Sequence, residues 1–170
     1  MDMPKSRTLG DFLDELAERY PNKEAVIYKD QRYTYRDFQN EANRIAKSLI
    51  KLGLKRDDKV ASVVNNRLEW VTMAFGVVKA GCVFVPLNTF YRTGEIEYAI
   101  KHCEVKLLVT IDKLLKSDYL AMIKELLPAL DQADPGEAAF EGFPDLKYVV
   151  SLGKQARGTY SWEDFLNIGR

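Results

Sequence analysis

The stretch VVKAGCVFVPLN, residues 77–88, contains a helix end, a turn and a strand with almost no linker between them. Val77, Val78 and Lys79 close an apolar helical pattern, and Gly81 follows where the pattern changes. Glycine accepts backbone angles that other residues resist, so it permits a tight turn from a helix into a strand. Pro86 ends the apolar run that follows, because proline has no N–H for the sheet ladder. The stretch therefore predicts a helix–strand junction in an α/β sheet.

The same alternation of strand and helix extends to both sides of this junction. Apolar runs at residues 60–64, 107–109 and 148–150 alternate with helical patterns at residues 68–79, from Thr93 onward, and at 114–130. Such alternation predicts βαβ units. We therefore expect an α/β fold with a mostly parallel sheet and helices on both faces. Residues 1–170 would form a single domain, with the sheet core at residues 58–166.

Residues 8–53 are predicted to form a helix–hairpin–helix lead-in to the sheet core. Thr8 with Asp11, and Thr34 with Asp37, have the spacing of a helix-capping box, in which side chains and backbone groups bond reciprocally. Between the two helices, residues 25–28 and 32–35 flank a polar turn and predict a hairpin. Gly53 stands where a glycine commonly ends a helix.

Composition excludes several classes of function. The chain has 170 residues with 25 Lys and Arg against 25 Asp and Glu, so its net charge is zero, which argues against bulk binding to nucleic acid. With one histidine and two cysteines it carries no zinc signature, and we expect it to bind no metal by itself. No run approaches the roughly 20 apolar residues of a membrane span. We therefore expect a cytoplasmic protein without a membrane span.

The residues contain no complete active site. Gly153-Lys154 resembles part of a phosphate-binding loop, but Tyr148 stands where the motif needs an earlier glycine, so a simple turn is the better interpretation. His102 and Cys103 are neighbours on a helix, where adjacent side chains point apart, so we predict no nucleophile pair and no catalytic residue in this chain. Lys79 and Arg92 are the more interesting cations, because they border the loop after Pro86.

Residues 131–145 differ in composition from the rest of the chain. They hold five acids and no Lys or Arg, with Pro135-Gly136 in the middle. This composition predicts a mobile surface loop. Packing through Phe140 and Phe143 is the alternative.

Residues 77–88 also strongly resemble a block of the AMP-forming, adenylate-forming enzymes, a superfamily that includes the acyl-CoA synthetases. Three other stretches match the family and occur in the family's order along the chain: TYRDF at residues 34–38, the Asn66–Glu69–Trp70 turn, and NTFYRTGEIEY at residues 88–98. The last stretch is similar to acyl-CoA ligases in particular. The resemblance implies the N-terminal portion of the adenylate-forming fold.

By this resemblance the parent protein is expected to be an ATP-dependent carboxylic acid–CoA ligase that uses ATP, CoA and Mg²⁺ and acts on a carboxylic acid, with a fatty acid as the expected class. Many such ligases have a basic residue at the position of Phe90 that meets CoA phosphate, and Arg92 is the nearest candidate here. The family's phosphate loop and catalytic lysine are absent from this sequence, so we expect the chain alone to be inactive and to bind no cofactor tightly. Its partners would be the rest of its own chain and, as a homodimer, a second copy.

Two alternatives remain open. The chain can instead be a non-catalytic α/β binding or interaction module, such as a truncated paralogue. It can also belong to an enzyme that adenylates another acid, although amino-acid-activating relatives usually carry Asp where this chain has Asn88.

Overall fold

A computed structural model describes residues 8–170. In this part of the chain the helices are α1 (Leu9–Arg19), α2 (Tyr35–Lys51), α3 (Leu68–Lys79), α4 (Thr93–His102), α5 (Tyr119–Leu126) and α6 (Trp162–Ile168). The strands are β1 (Glu24–Tyr28), β2 (Gln31–Thr34), β3 (Lys59–Val63), β4 (Val83–Pro86), β5 (Val105–Ile111), β6 (Lys113–Leu114), β7 (Ser117–Asp118), β8 (Tyr148–Leu152) and β9 (Tyr160–Ser161).

The chain forms two compact units, and each unit is assembled from separate segments of the sequence. The first unit holds the described residues up to Arg56, together with Asn66–Cys82 and Leu166–Arg170. The second unit holds Asp57–Asn65 and Val83–Phe165. The predicted single domain of residues 1–170, with its lead-in at 8–53 and core at 58–166, stays a prediction.

The first unit consists of helices α1, α2 and α3 around the β1–β2 hairpin. Both predicted capping interactions are present: the Thr8 hydroxyl accepts from the Asp11 N–H at 3.1 Å, and Thr34 forms the full box with Asp37. Leu13, Phe38 and Ala42 form its buried centre, and the rings of Phe38 and Phe75 meet edge to face at 5.0 Å. Local capping signals therefore predicted the starts of these helices correctly.

The second unit is built on a five-stranded sheet in the order β4-β3-β5-β8-β9, with every pair parallel. Its central strand β5 is buried along nearly its whole length, on both alternating sets of side chains. Ala61 on β3 pairs with Leu108 on β5, which pairs with Val149 on β8. The predicted α/β class with a parallel sheet is confirmed.

Gly81 joins α3 to β4 with a positive φ of +78°. A side-chain β-carbon added there would meet nothing closer than 3.8 Å, so the backbone angle and not crowding calls for glycine. This confirms the junction that residues 77–88 predict. Cys82 precedes the strand and is buried.

The predicted helix at residues 114–130 was wrong in its length. Residues 113–118 form the small β6–β7 hairpin, and Leu115 in its turn has φ +53°. Helix α5 starts only at Tyr119, where the Asp118 side chain accepts from the Ala121 N–H at 2.9 Å, and a short 3₁₀ helix (Pro128–Asp131) follows it. In the sequence, Leu114 and Leu115 extend the apolar pattern of a helix face. The backbone of Leu115 is in the left-handed conformation, however, and a residue in that conformation cannot continue a right-handed helix.

The caps of two helices differ from those that the sequence favours. Asn65-Asn66 is a plausible cap before α3, but the cap is Arg67. Thr93 is a plausible cap of α4, but Arg92 is the cap and Thr93 is the first helical residue.

In the acidic segment at residues 131–145, the two phenylalanines that the alternative interpretation named pack into the protein. Phe140 and Phe143 are both buried. Two of its acids have basic partners elsewhere in the chain: Asp131 pairs with Lys124 at 2.8 Å, and Asp134 pairs with Arg157 at 3.0 Å. Packing by the aromatic rings therefore offsets the charge repulsion on which the expectation of a mobile loop was based.

Candidate functional site

The order of the strands points to one edge of the sheet. From β3 the chain goes first to β4 on one side and then to β5 on the other, so the order reverses between β3 and β5. In open α/β sheets, ligands collect beyond the carboxyl ends of the strands at such a reversal. In the second unit this edge carries the loop after β4, Asp112 after β5, and the loop that begins at Gly153 after β8.

The loop after β4 is short and exposed at its tip. Leu87 is buried, and its N–H donates to the Ser62 carbonyl on β3 at 2.7 Å. The side chain of Asn88 then accepts from the Phe90 N–H at 2.9 Å, which closes a small turn. Phe90 is 83% exposed, so its ring contributes little packing. The tip of the loop is thus exposed at Phe90, while Thr89 and Tyr91 beside it are half-buried.

Arg92 ends this loop as the cap of α4. Its main-chain N–H donates to the Glu95 carboxylate at 2.8 Å, while the Arg92 side chain is exposed. Within residues 8–170 its guanidinium forms no ion pair with a carboxylate. A guanidinium next to a helix N-terminus suits a phosphate group, because both attract anions. The chemistry of the position fits the expected role of Arg92, which stays a prediction.

Asp112 and Gly153 meet at the ends of the neighbouring strands β5 and β8. Gly153 has a φ of +150°, and a β-carbon added to it would lie 2.7 Å from the Asp112 Oδ1 atom. Any side chain at position 153 would therefore displace the carboxyl group. This contact was not predicted from the sequence, because it depends on which strands are neighbours in the sheet. The one feature of the sequence that pointed to it was an Asp directly after a buried strand.

A charge pair closes the β6–β7 hairpin beside Asp112. Lys113 and Asp118 form an ion pair at 2.9 Å. The bond from Lys113, together with the Ala121 N–H, lowers the pKa of Asp118 below its usual value, so its carboxylate stays ionised at neutral pH. The pair stabilises the approach to α5.

Gly153-Lys154 does not form a phosphate-binding loop. That motif requires a helix to begin directly after the lysine. Here the chain continues through a loop to the strand β9, and the Lys154 carbonyl accepts from the Ser151 hydroxyl at 2.6 Å. The interpretation as a turn therefore agrees with the structure.

The other candidate residues lie away from this edge or are already paired. Lys79, expected to border the loop after Pro86, forms an ion pair with Asp14 inside the first unit. His102 stacks on Tyr98, with 5.1 Å between ring centres, and Cys103 caps the end of α4. In the described part of the chain, no three His, Cys, Asp or Glu side chains lie together in a way that could hold a metal ion.

The first unit also holds a half-buried acid that no pattern in the sequence marks. Glu41 on α2 accepts a hydrogen bond from the Tyr33 hydroxyl. Burial raises the pKa of Glu41; Arg44 opposes the shift, and the negative Glu69 adds to it. On α3, burial works to raise the pKa of Glu69, but bonds from Arg67 at 2.7 and 2.8 Å outweigh it and lower that pKa. These groups lie between secondary-structure elements and serve the fold of the unit.

Comparison with known proteins gives consistent matches. A model of the family described as "AMP-binding enzyme" matches residues 13–154. The protein named "Putative acyl-CoA synthetase YngI" of Bacillus subtilis (strain 168) is 34% identical over 160 residues, covering 92% of this chain and 29% of that protein. The mitochondrial medium-chain acyl-CoA ligase ACSF2 of Danio rerio is 31% identical over 167 residues, covering 97% of this chain and 28% of that protein.

A solved structure shares the fold. The anthranilate CoA ligase AuaEII, in complex with anthranoyl-AMP, superposes with a TM-score of 0.76 and 26% identity, over 98% of this chain and 28% of that one. The chain thus spans between a quarter and a third of the length of the proteins that it matches. Among the described helices, none combines the length and apolar character that crossing a membrane requires.

Proposed function

Because the chain belongs to the AMP-binding enzyme family, we propose that it forms the amino-terminal part of an ATP-dependent carboxylic acid–CoA ligase. The observation that carries this proposal is its likeness, over 92% and 97% of its length, to an acyl-CoA synthetase and an acyl-CoA ligase at 34% and 31% identity. The family implies the use of ATP, and the matched ligase structure holds an acyl adenylate.

The proposed reaction has two steps. In the first, a carboxylate oxygen of the acid attacks the α-phosphorus of ATP, the bond to the β-phosphate oxygen breaks, and pyrophosphate leaves. In the second, the CoA thiol loses its proton and its sulfur attacks the acyl carbon, so AMP leaves with the electron pair of the broken C–O bond. Neither step involves oxidation or reduction.

The role proposed for this chain is to supply one wall of the site. Its exposed loop after β4 brings Arg92 to the ligand edge of the sheet, where the guanidinium would bind CoA phosphate. The described residues hold no cluster for a metal, so Mg²⁺ would arrive with the phosphates of ATP and be bound outside this set of residues. A fatty acid is the first class of substrate to test. The cytoplasm as location and a homodimer both stay predictions.

The reading frame beyond Arg170 provides the first test. A Ser/Thr/Gly-rich segment followed by Pro-Lys would support the ligase, and a stop codon would support the non-catalytic module. The protein encoded by an open frame is then assayed for ATP–pyrophosphate exchange and for acyl-CoA formation with fatty and aromatic acids. Exchange that responds to acids but yields no acyl-CoA would favour the alternative, an adenylating enzyme for another purpose.

A further inference from the structure

Three hydrogen bonds shape the β4–α4 loop from within. The Asn88 side chain accepts from the Phe90 N–H, the Tyr91 N–H donates to the Asn88 carbonyl at 3.0 Å, and the Glu95 carboxylate accepts from the Arg92 N–H. Each bond joins residues no more than three positions apart. Such bonds set the local shape of a loop, but they do not fix where the loop lies on the protein.

Apolar packing does not hold the tip of the loop either. The buried residues Leu87 and Ile96 anchor the two ends, at the strand and in the helix. Between them Thr89 and Tyr91 are half-buried, while the Phe90 ring faces solvent and Arg92 is exposed. A tip with so little buried surface opens at low free-energy cost unless another contact holds it.

One contact reaches the tip from elsewhere in the second unit. The hydroxyl of Tyr119 donates to the carbonyl of Thr89. Among the described residues, this is the one hydrogen bond that ties residues 88–92 to a separate part of the chain. Tyr119 is a firm anchor, because its side chain is 0% exposed and Asp118 caps the helix that it begins.

We propose that Tyr119 is a positioning residue that holds the β4–α4 loop in place for ligand binding. The inference rests on the proposed function, since it acts through Arg92 and the phosphates of CoA. A loop held in its bound position loses less conformational entropy when the ligand arrives. Removing the hydroxyl therefore weakens the binding of CoA, while the chemistry on ATP continues unchanged.

The decisive variant is Tyr119→Phe in the full-length protein, which deletes one oxygen and keeps the ring. A matched control is Tyr160→Phe, because the Tyr160 hydroxyl donates to another loop carbonyl, that of Pro135, at 3.1 Å. We expect Tyr119→Phe to raise the KM for CoA roughly two- to tenfold, as for the loss of one hydrogen bond. The kcat and the rate of ATP–pyrophosphate exchange should stay at the parent values, and Tyr160→Phe should leave all three unchanged.

A second measurement needs no ligase activity. Trypsin cleaves after arginine, so cleavage at Arg92 in the 170-residue chain reports opening of the loop, with cleavage at Lys29 in the β1–β2 turn as an internal reference. Tyr119→Phe should accelerate cleavage at Arg92 relative to Lys29, and Tyr160→Phe should not. An unchanged ratio would show that the hydroxyl does not hold the loop and would overturn the proposal.

The two measurements separate failure of this inference from failure of the proposed function. Faster cleavage with an unchanged KM for CoA would overturn the positioning role and leave the ligase intact. A full-length protein without CoA-dependent activity would remove the proposed function and the positioning role with it, whatever the cleavage shows. Equal losses in kcat and in exchange would assign Tyr119 to general structure and also overturn the inference.

Discussion

At the scale of the residue, Gly81 shows how one backbone angle constrains the sequence. A β-carbon at this position would meet Arg56 only at ordinary contact distances of 3.8–3.9 Å, so the φ of +78° and not crowding penalises a substitution. We expect Gly81→Val to lower the free energy of unfolding by about 1–3 kcal/mol. Urea denaturation measures the change. Gly94→Ala is the control: Gly94 lies in α4 with nothing within 4 Å, and its change should stay within about 1 kcal/mol. Equal urea midpoints for Gly81→Val and the parent would contradict the prediction.

Glu41 makes the stability of the first unit depend on pH. Its pKa is raised in the folded state above the ordinary value of 4.5, so the folded protein holds this proton more tightly than the unfolded chain does. The associated stability is fully present below about pH 4.5 and is lost as the pH rises through the raised pKa. Glu41→Gln should therefore be more stable than the parent at pH 7, with the difference shrinking toward acid pH. Urea midpoints from pH 4 to 7.5 test this, with Glu18→Gln, an exposed acid on α1, as the control; a Glu41→Gln variant less stable than the parent at pH 7 would refute it.

Arg92 has a prediction of its own, which depends on the proposed function. Arg92→Ala in the full-length enzyme should raise the KM for CoA several-fold, because a charge-assisted bond of about 1.5–3 kcal/mol is lost and is partly screened by solvent. ATP–pyrophosphate exchange without CoA should be nearly unchanged. Arg32→Ala, which removes an arginine paired with Glu24 in the first unit, is the matched control. An unaltered KM for CoA, or equal losses in both half-reactions, would remove Arg92 from the site.

At the scale of the element, the capping box of α2 is the clearest device. The Thr34 hydroxyl accepts from the Asp37 N–H at 3.2 Å, and the Asp37 carboxylate accepts from the Thr34 N–H at 3.0 Å. Thr34→Ala should cost about 0.5–2 kcal/mol of unfolding free energy, and Thr34→Ser much less, because serine keeps the hydroxyl. Thr93→Ala should be nearly neutral, since Arg92 and not Thr93 caps α4. Urea denaturation of the three variants tests this order, and equal losses for Thr34→Ala and Thr93→Ala would contradict it.

These elements also show which parts of the fold were predictable. The starts of α1 and α2 followed from the sequence, because a cap is a bond between residues three positions apart. The hairpin at residues 113–118 did not, because Leu114 and Leu115 extend an apolar pattern that only the left-handed turn interrupts. The contacts of Asp112 with Gly153 and of Tyr119 with Thr89 were also missed. Both depend on the order of strands in the sheet, which local patterns do not contain.

At the scale of the whole molecule, we expect the 170-residue chain to be inactive by itself. Its sequence has no Ser/Thr/Gly-rich phosphate loop followed by Pro-Lys, so no preorganised positive charge stabilises the departing pyrophosphate. ATP–pyrophosphate exchange measured with a panel of fatty and aromatic acids tests this, with a heat-treated sample as the blank. Exchange above the blank that requires an acid would contradict the prediction.

The alternating division of the chain has a consequence for its synthesis. The first unit includes residues near both ends of the sequence: the Lys51 ammonium donates to the Arg170 carbonyl at 2.7 Å, and Gly169 lies against the backbone of Arg44. The second unit needs Phe165. A ribosome releases the chain from its amino end, so domains made of one continuous piece can fold while translation continues. Neither unit here is such a piece, so neither can be completed on the ribosome before the codons for residues 165–170 have been read.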